Sequence, residues 1–193
     1  MRTHIDASFR EAAACLADFM ADETQFSRVA AFADALAATF ERGGKALSCG
    51  NGGSMSDAMH FAEEWSGRYR AERPPLPAIA FSDPGHMSCV ANDYGYDQVF
   101  ARQVRALGAQ GDLLVLLSTS GNSPNLLRAA EVAREKGVTV VGLLGKGGGA
   151  LLALCDIGIV VPGATSDRIQ ELHIKIIHTV IEAVERTLFP HLY

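Results

Sequence analysis

The chain has 193 residues, 48% hydrophobic and 20% charged, which describes one globular domain with room for a core and excludes a disordered chain. A net charge of −5 argues against non-specific binding of nucleic acid or an anionic membrane. No run approaches the roughly eighteen consecutive apolar residues of a spanning helix. Cys15, Cys49, Cys89 and Cys155 are widely spaced without a C-x-x-C pair, and no basic segment leads into an apolar one at the N-terminus. Reduced thiols in a cytoplasmic protein are therefore expected.

Residues 4–41 read as two amphipathic helices. Ile5, Phe9, Ala12, Ala13, Leu16 and Met20, then Val29, Phe32, Ala33, Leu36 and Phe40, recur at steps of three and four, with a break or cap near Asp22–Thr24. Gly43-Gly44 ends the second helix. This leading layer, residues 1–42, is expected to pack on a sheet or on another subunit.

From residue 45 to 190, strand-like and helix-like segments alternate. Strands are predicted at Ala46–Cys49, Ala78–Phe81, Leu113–Ser118, Thr139–Leu144 and Ile157–Val161, and helices at 54–67, 96–107, 124–136, 148–154 and 166–188. Continuous apolar runs such as Leu113–Leu117 suit parallel strands covered on both faces. The expected fold class is α/β, a doubly wound five-stranded parallel sheet in one domain, with ligands beyond the carboxyl ends of the strands. Arg73-Pro-Pro-Leu-Pro77 reads as a plain connector.

Three loops follow strands. In Gly50-Asn-Gly-Gly-Ser54, glycines permit close approach of a ligand and a helix N-terminus favours an anion, although a tight turn capped by Ser54 would leave the same trace. In Ser118-Thr-Ser-Gly-Asn-Ser-Pro124, capping needs only Ser123, with Pro124 at the first helical position. Ser118, Thr119 and Ser120 then remain as hydroxyls suited to a phosphate monoester. Gly145-Lys-Gly-Gly-Gly-Ala150 formally fits a dinucleotide fingerprint, but it follows the fourth strand and reads as a flexible turn.

His60 and Glu64, four apart on a predicted helix, form a weak surface pair or, beside a glycine loop, a metal-binding or proton-transferring pair. Gln170 and His178 lie within a last helix that is apolar on several faces, where each needs a partner. They are eight residues and so about 12 Å apart along the axis. That spacing favours a site assembled from more than one chain.

Taken together, GNGGS, DAMHFAEE, the AND at 91–93, STSGNS and DRIQELH…H resemble the phosphoheptose isomerase family of the sugar-isomerase (SIS) group, over nearly the whole chain. The resemblance implies a flavodoxin-like SIS fold. It also implies conversion of D-sedoheptulose 7-phosphate to D-glycero-D-manno-heptose 7-phosphate, the first step toward ADP-heptose and the lipopolysaccharide core. Carried over by position, Asn51, Gly52, Gly53, Ser54, Asn92, Asp93, Ser118, Thr119, Ser120 and Ser123 match substrate-binding residues, with Glu64, Asp167 and Gln170 also placed at the substrate. Glu64 matches the general base and His178 the second acid/base group, while His60, Glu64, Gln170 and His178 match the ligands of a zinc ion, one per subunit. The family implies a homotetramer with interface active sites. A non-catalytic SIS branch that binds proteins to regulate replication initiation is the alternative; it lacks counterparts of Glu64 and His178. A sugar-phosphate-sensing regulatory domain is disfavoured because no DNA-binding segment accompanies the chain.

Overall fold

Ala46–Gly50 (β1), Ala78–Ala80 (β2), Leu113–Ser118 (β3), Thr139–Leu144 (β4) and Ile157–Val160 (β5) form one all-parallel sheet in a computed structural model that describes residues 1–193. Their order is β2-β1-β3-β4-β5, the flavodoxin-like arrangement. Residues of β1 and β3 are buried throughout, as continuous apolar strands covered on both faces must be.

Helices cover both faces. Arg2–Met20 (α1) and Glu23–Glu41 (α2) lead the chain, and Asp22 caps α2 by accepting from the amides of Thr24 and Gln25. Gly53–Ser66 (α3) and Ser166–Leu188 (α7) pack with α2 on one face, around Phe32, Phe61, Trp65, Ile177 and Val180. Pro84–Tyr94 (α4), Val99–Leu107 (α5) and Pro124–Glu135 (α6) cover the other, around Phe81, Phe100, Leu114 and Leu126. On α1, Ile5, Phe9 and Met20 stay exposed, Phe9 at 75%. No helix is long and apolar enough to cross a membrane.

Local departures from the sequence expectations have physical causes. Helix α4 has no counterpart among the predicted helices because its sequence is only weakly amphipathic, with Val90 its one buried residue; the signal was Asp83-Pro84, where the Asp83 side chain caps the amide of His86 and proline takes the first turn. The helix expected over 96–107 is a 3₁₀ turn, Tyr96–Gln98, leading into α5. Residues 148–154, expected as a helix, form 3₁₀ turns interrupted at Gly149 (φ 55°). Ser54 is not a cap: Gly52, at φ 57°, holds the N-cap position of α3 and Ser54 lies inside the helix.

Candidate active site

The strand order reverses direction between β1 and β3, and the loops leaving these two strands lie side by side, with Gly50 paired to Leu117. Between them is a polar cleft of about 170 Å³, lined by Asn51 and Ser54 from the glycine loop, Ser118, Thr119, Ser120 and Ser123 from the hydroxyl loop, and Ser166 and Gln170 from α7. The hydroxyl loop is pre-shaped by its own side chains. Ser118 Oγ accepts from the amide of Gly121 (3.0 Å) and Ser120 Oγ from that of Asn122 (3.2 Å). Thr119 Oγ1 and Ser166 Oγ are 3.1 Å apart, and Ser123 stands at the N-cap of α6 without a capping bond. Hydroxyls converging beside a helix N-terminus suit a phosphate.

The glycine loop at 145–149 is no free turn. A Cβ on Gly121 would lie 1.9 Å from the carbonyl oxygen of Gly148, and Asn122 Oδ1 accepts from the amide of Ala150 (3.0 Å). This second glycine loop therefore braces the hydroxyl loop from behind. Gly53 is constrained by contact: a Cβ there would sit 2.7 Å from Gln170 Nε2, which itself donates to Ser54 Oγ (3.3 Å). Asn51 exchanges two amide hydrogen bonds with Asn125, at 3.0 and 2.8 Å, and its Oδ1 also accepts from the Tyr96 hydroxyl at 3.2 Å.

Further along the same two helices, side chains meet again. His60 Nε2 is 3.1 Å from Glu64 Oε1 and 3.2 Å from His178 Nε2. One donor atom from each of the three residues lies within 4.8 Å of the others. Tetrahedral bonds of about 2.0–2.1 Å would place two donor atoms roughly 3.3 Å apart, so these separations suit one shared ion. Two histidine nitrogens and a carboxylate form a recurrent catalytic metal set. A metal can therefore be held by His60, Glu64 and His178. Burial, then the charge of His60, lowers the pKa of His178, which favours its neutral form. The Glu64 side chain is 13% exposed.

These residues meet within one chain because α3 and α7 run alongside each other in the same sense: Ser54 reaches Gln170, and six residues on His60 reaches His178. The eight-residue spacing on α7, expected to favour a site assembled from more than one chain, does not require one for His178, which finds His60 in its own chain. Gln170 points to Ser54 and the cleft. Asn92 and Asp93 are exposed on the last turn of α4, bonded to each other at 2.7 Å and outside the cleft lining. Asp167 is exposed, and hydrogen bonds from Thr165 and then Arg168 hold its carboxyl down to about 2.

Two groups carry more than their sequence context suggests. Asp57 lies near His60 and Glu64 in sequence and is expected to share their face less well, yet at spacings of three and seven it stands close enough for His60 to act on its charge. Burial raises its pKa to about 6 against the opposing effect of His60, and its Oδ2 is buried without a partner. Arg73 is buried and donates to the carbonyl oxygens of Glu64 (2.6 Å) and Trp65 (2.8 Å). A lone arginine among prolines gave no periodic signal of burial.

Comparison with known proteins agrees with this architecture. The SIS domain family model matches residues 8–145. A phosphoheptose isomerase from Vibrio cholerae is 53% identical over 185 residues, covering 95% of this chain and 97% of the relative. One from Fusobacterium nucleatum is 49% identical over 187 residues, covering 97% and 96%. The solved structure of a phosphoheptose isomerase from Francisella tularensis superposes with a TM-score of 0.91 at 36% identity, covering 95% of this chain and 97% of that one.

Proposed function

The chain belongs to the phosphoheptose isomerases of the SIS-domain family, and on that premise we propose how its residues carry the reaction. It is an aldose–ketose isomerase converting D-sedoheptulose 7-phosphate to D-glycero-D-manno-heptose 7-phosphate, the first step of ADP-heptose and lipopolysaccharide core biosynthesis. The observation that carries the assignment of roles is the meeting of Glu64 with His60 and His178 on the two helices that also line the hydroxyl cleft.

Ser118, Thr119, Ser120 and Ser123 hold the phosphate, and the Asn51–Ser54 loop with Gln170 lies along the sugar. From Ser54 to His60, α3 advances by about 9 Å, which separates the phosphate from the reacting end of the sugar, as a substrate phosphorylated at the carbon farthest from its carbonyl requires. Glu64 takes a proton from the carbon beside the carbonyl and returns it to the neighbouring carbon; such a positioned base contributes about 10²–10⁴-fold. His178, whose neutral form burial favours, moves protons between the two oxygens. His60, Glu64 and His178, with Gln170 as the family's fourth ligand, would hold zinc, which when bound polarises the substrate oxygens. Asn92, Asp93 and Asp167 complete the sugar contacts in this reading. Residues 1–42 form an oligomerisation layer of the single domain 1–193, and the exposed apolar side chains of α1 support its packing on another subunit, as in the homotetramer with interface sites that the family implies. A reduced cytoplasmic protein fits the four free cysteines.

The test is incubation of metal-stripped and zinc-loaded protein with sedoheptulose 7-phosphate, beside Glu64→Gln. Heptose phosphate from the parent and none from Glu64→Gln is expected, with sugar-phosphate binding retained. Near-parental turnover by Glu64→Gln would remove Glu64 from the mechanism. No product under either metal condition would favour the protein-binding branch.

A further inference from the structure

Between α3 and β2 the chain makes a strap, residues 67–77, that contacts α7 repeatedly. Tyr69 lays its ring against that of His178, with centroids 5.8 Å apart. Arg70 pairs with Glu182 at 3.0 Å. Arg73 pairs through Nε with Glu185 Oε1 at 2.6 Å, both side chains fully buried. The other nitrogens of the same guanidinium donate to the carbonyl oxygens of Glu64 and Trp65, in the last turn of α3, where carbonyls have no partner along the helix. Tyr193, the last residue, donates its hydroxyl to the second oxygen of Glu185 at 2.6 Å.

A planar fork with five donors can serve a carboxylate and two carbonyls at once, which an ammonium cannot do in the same geometry. Burying an ion pair is costly, and such a pair is weak evidence for stability by itself. What this one does is geometric. It joins the backbone of Glu64 to α7 at Glu185, seven residues beyond His178 and so on the same helix face. We propose that the Arg73–Glu185 pair, closed by Tyr193, is a positioning element that sets the carboxylate of Glu64 against the imidazole of His178. This role rests on the isomerase reading above. Arg73 touches neither substrate nor reacting atoms; it acts through the α3 terminus.

The double variant Arg73→Met/Glu185→Leu removes the pair while keeping apolar volume, and its fold is checked by circular dichroism and thermal melting. With sedoheptulose 7-phosphate, kcat is expected to fall about 30-fold while KM stays within about twofold, because misplacing a reacting group by a fraction of an ångström damages chemistry and leaves the hydroxyl loop intact. Cobalt(II) affinity, read by its visible absorption, is expected to fall about tenfold, as loss of support around a ligand set does. Arg73→Lys, which keeps the charge without the fork, is expected to show the same pattern to a smaller degree. A folded double variant with parental kcat and parental cobalt affinity overturns the proposal. If the double variant does not fold, parental values for both quantities in Arg73→Lys overturn it. Absence of turnover in the parent would sink the isomerase reading, and the cobalt affinities would then decide the positioning role alone.

Discussion

His60 and His178 meet nitrogen to nitrogen, Nε2 to Nε2 at 3.2 Å, their rings inclined by 61°. At that distance one ring donates and the other accepts, so at least one is neutral; a metal held between them would take a lone pair from both. In the metal-free protein, His178 is therefore expected to titrate below the ordinary value of 6.5, chiefly through burial and secondarily through His60. Its charge is gained only as pH falls below that range. His60→Gln is expected to raise the value part of the way back, measured by NMR titration of the imidazole carbons.

Zinc should stabilise the folded chain because the ligand set is assembled there and not in the unfolded chain. At free zinc about a hundredfold above Kd the gain is roughly 2.7 kcal/mol, or some 5–10 °C in Tm for a domain of this size. His178→Ala should abolish most of that rise, as seen by calorimetry of stripped and reloaded protein.

Two glycines should respond oppositely to the same methyl group. At Gly53 the added carbon meets the far end of the Gln170 side chain, which can move. Gly53→Ala is expected to fold normally and to raise KM about tenfold by displacing Gln170 from the cleft. At Gly121, with φ +64°, the carbon meets the backbone of Gly148, which cannot move cheaply. Gly121→Ala is expected to cost about 3 kcal/mol or more in urea unfolding, since it separates the hydroxyl loop from its brace.

His173 is fully buried on α7, neither ring nitrogen has a hydrogen-bond partner in good geometry, and burial lowers its pKa to about 4 against a weaker opposing effect of the Leu144 backbone. The unfolded chain holds the proton more tightly, so stability contributed by the neutral ring is complete above about pH 6.5 and lost progressively toward pH 4. The loss amounts to roughly 3 kcal/mol at most. Asp57, shifted up to about 6, works in the opposite sense across much of that window. His173→Leu removes an unsatisfied polar group, so it should be near neutral in stability at pH 7.5 and lose less stability than the parent at pH 5. Melting curves at the two pH values decide it; equal acid sensitivity in both proteins would exclude His173 as the source.

Much of this molecule is written locally. Alternation of apolar strands with amphipathic helices placed all five strands, and β3 and β4 ran over the residues expected, because burial on both faces leaves continuous apolar runs. Loop chemistry marked the hydroxyl cleft, since Ser118–Ser123 carries more hydroxyls than one helix cap uses. The pair His60 and Glu64 was legible as helical spacing. What spacing along one chain cannot encode is which helix lies beside which. Only the tertiary structure brought α3 against α7 in the same sense and gave His178 a partner in its own chain. It also turned the proline-rich connector into a strap holding Glu64 by its backbone, and the second glycine loop into a brace. These are contacts over 9 to 118 residues of sequence, made by carbonyls and lone polar side chains that leave no periodic trace.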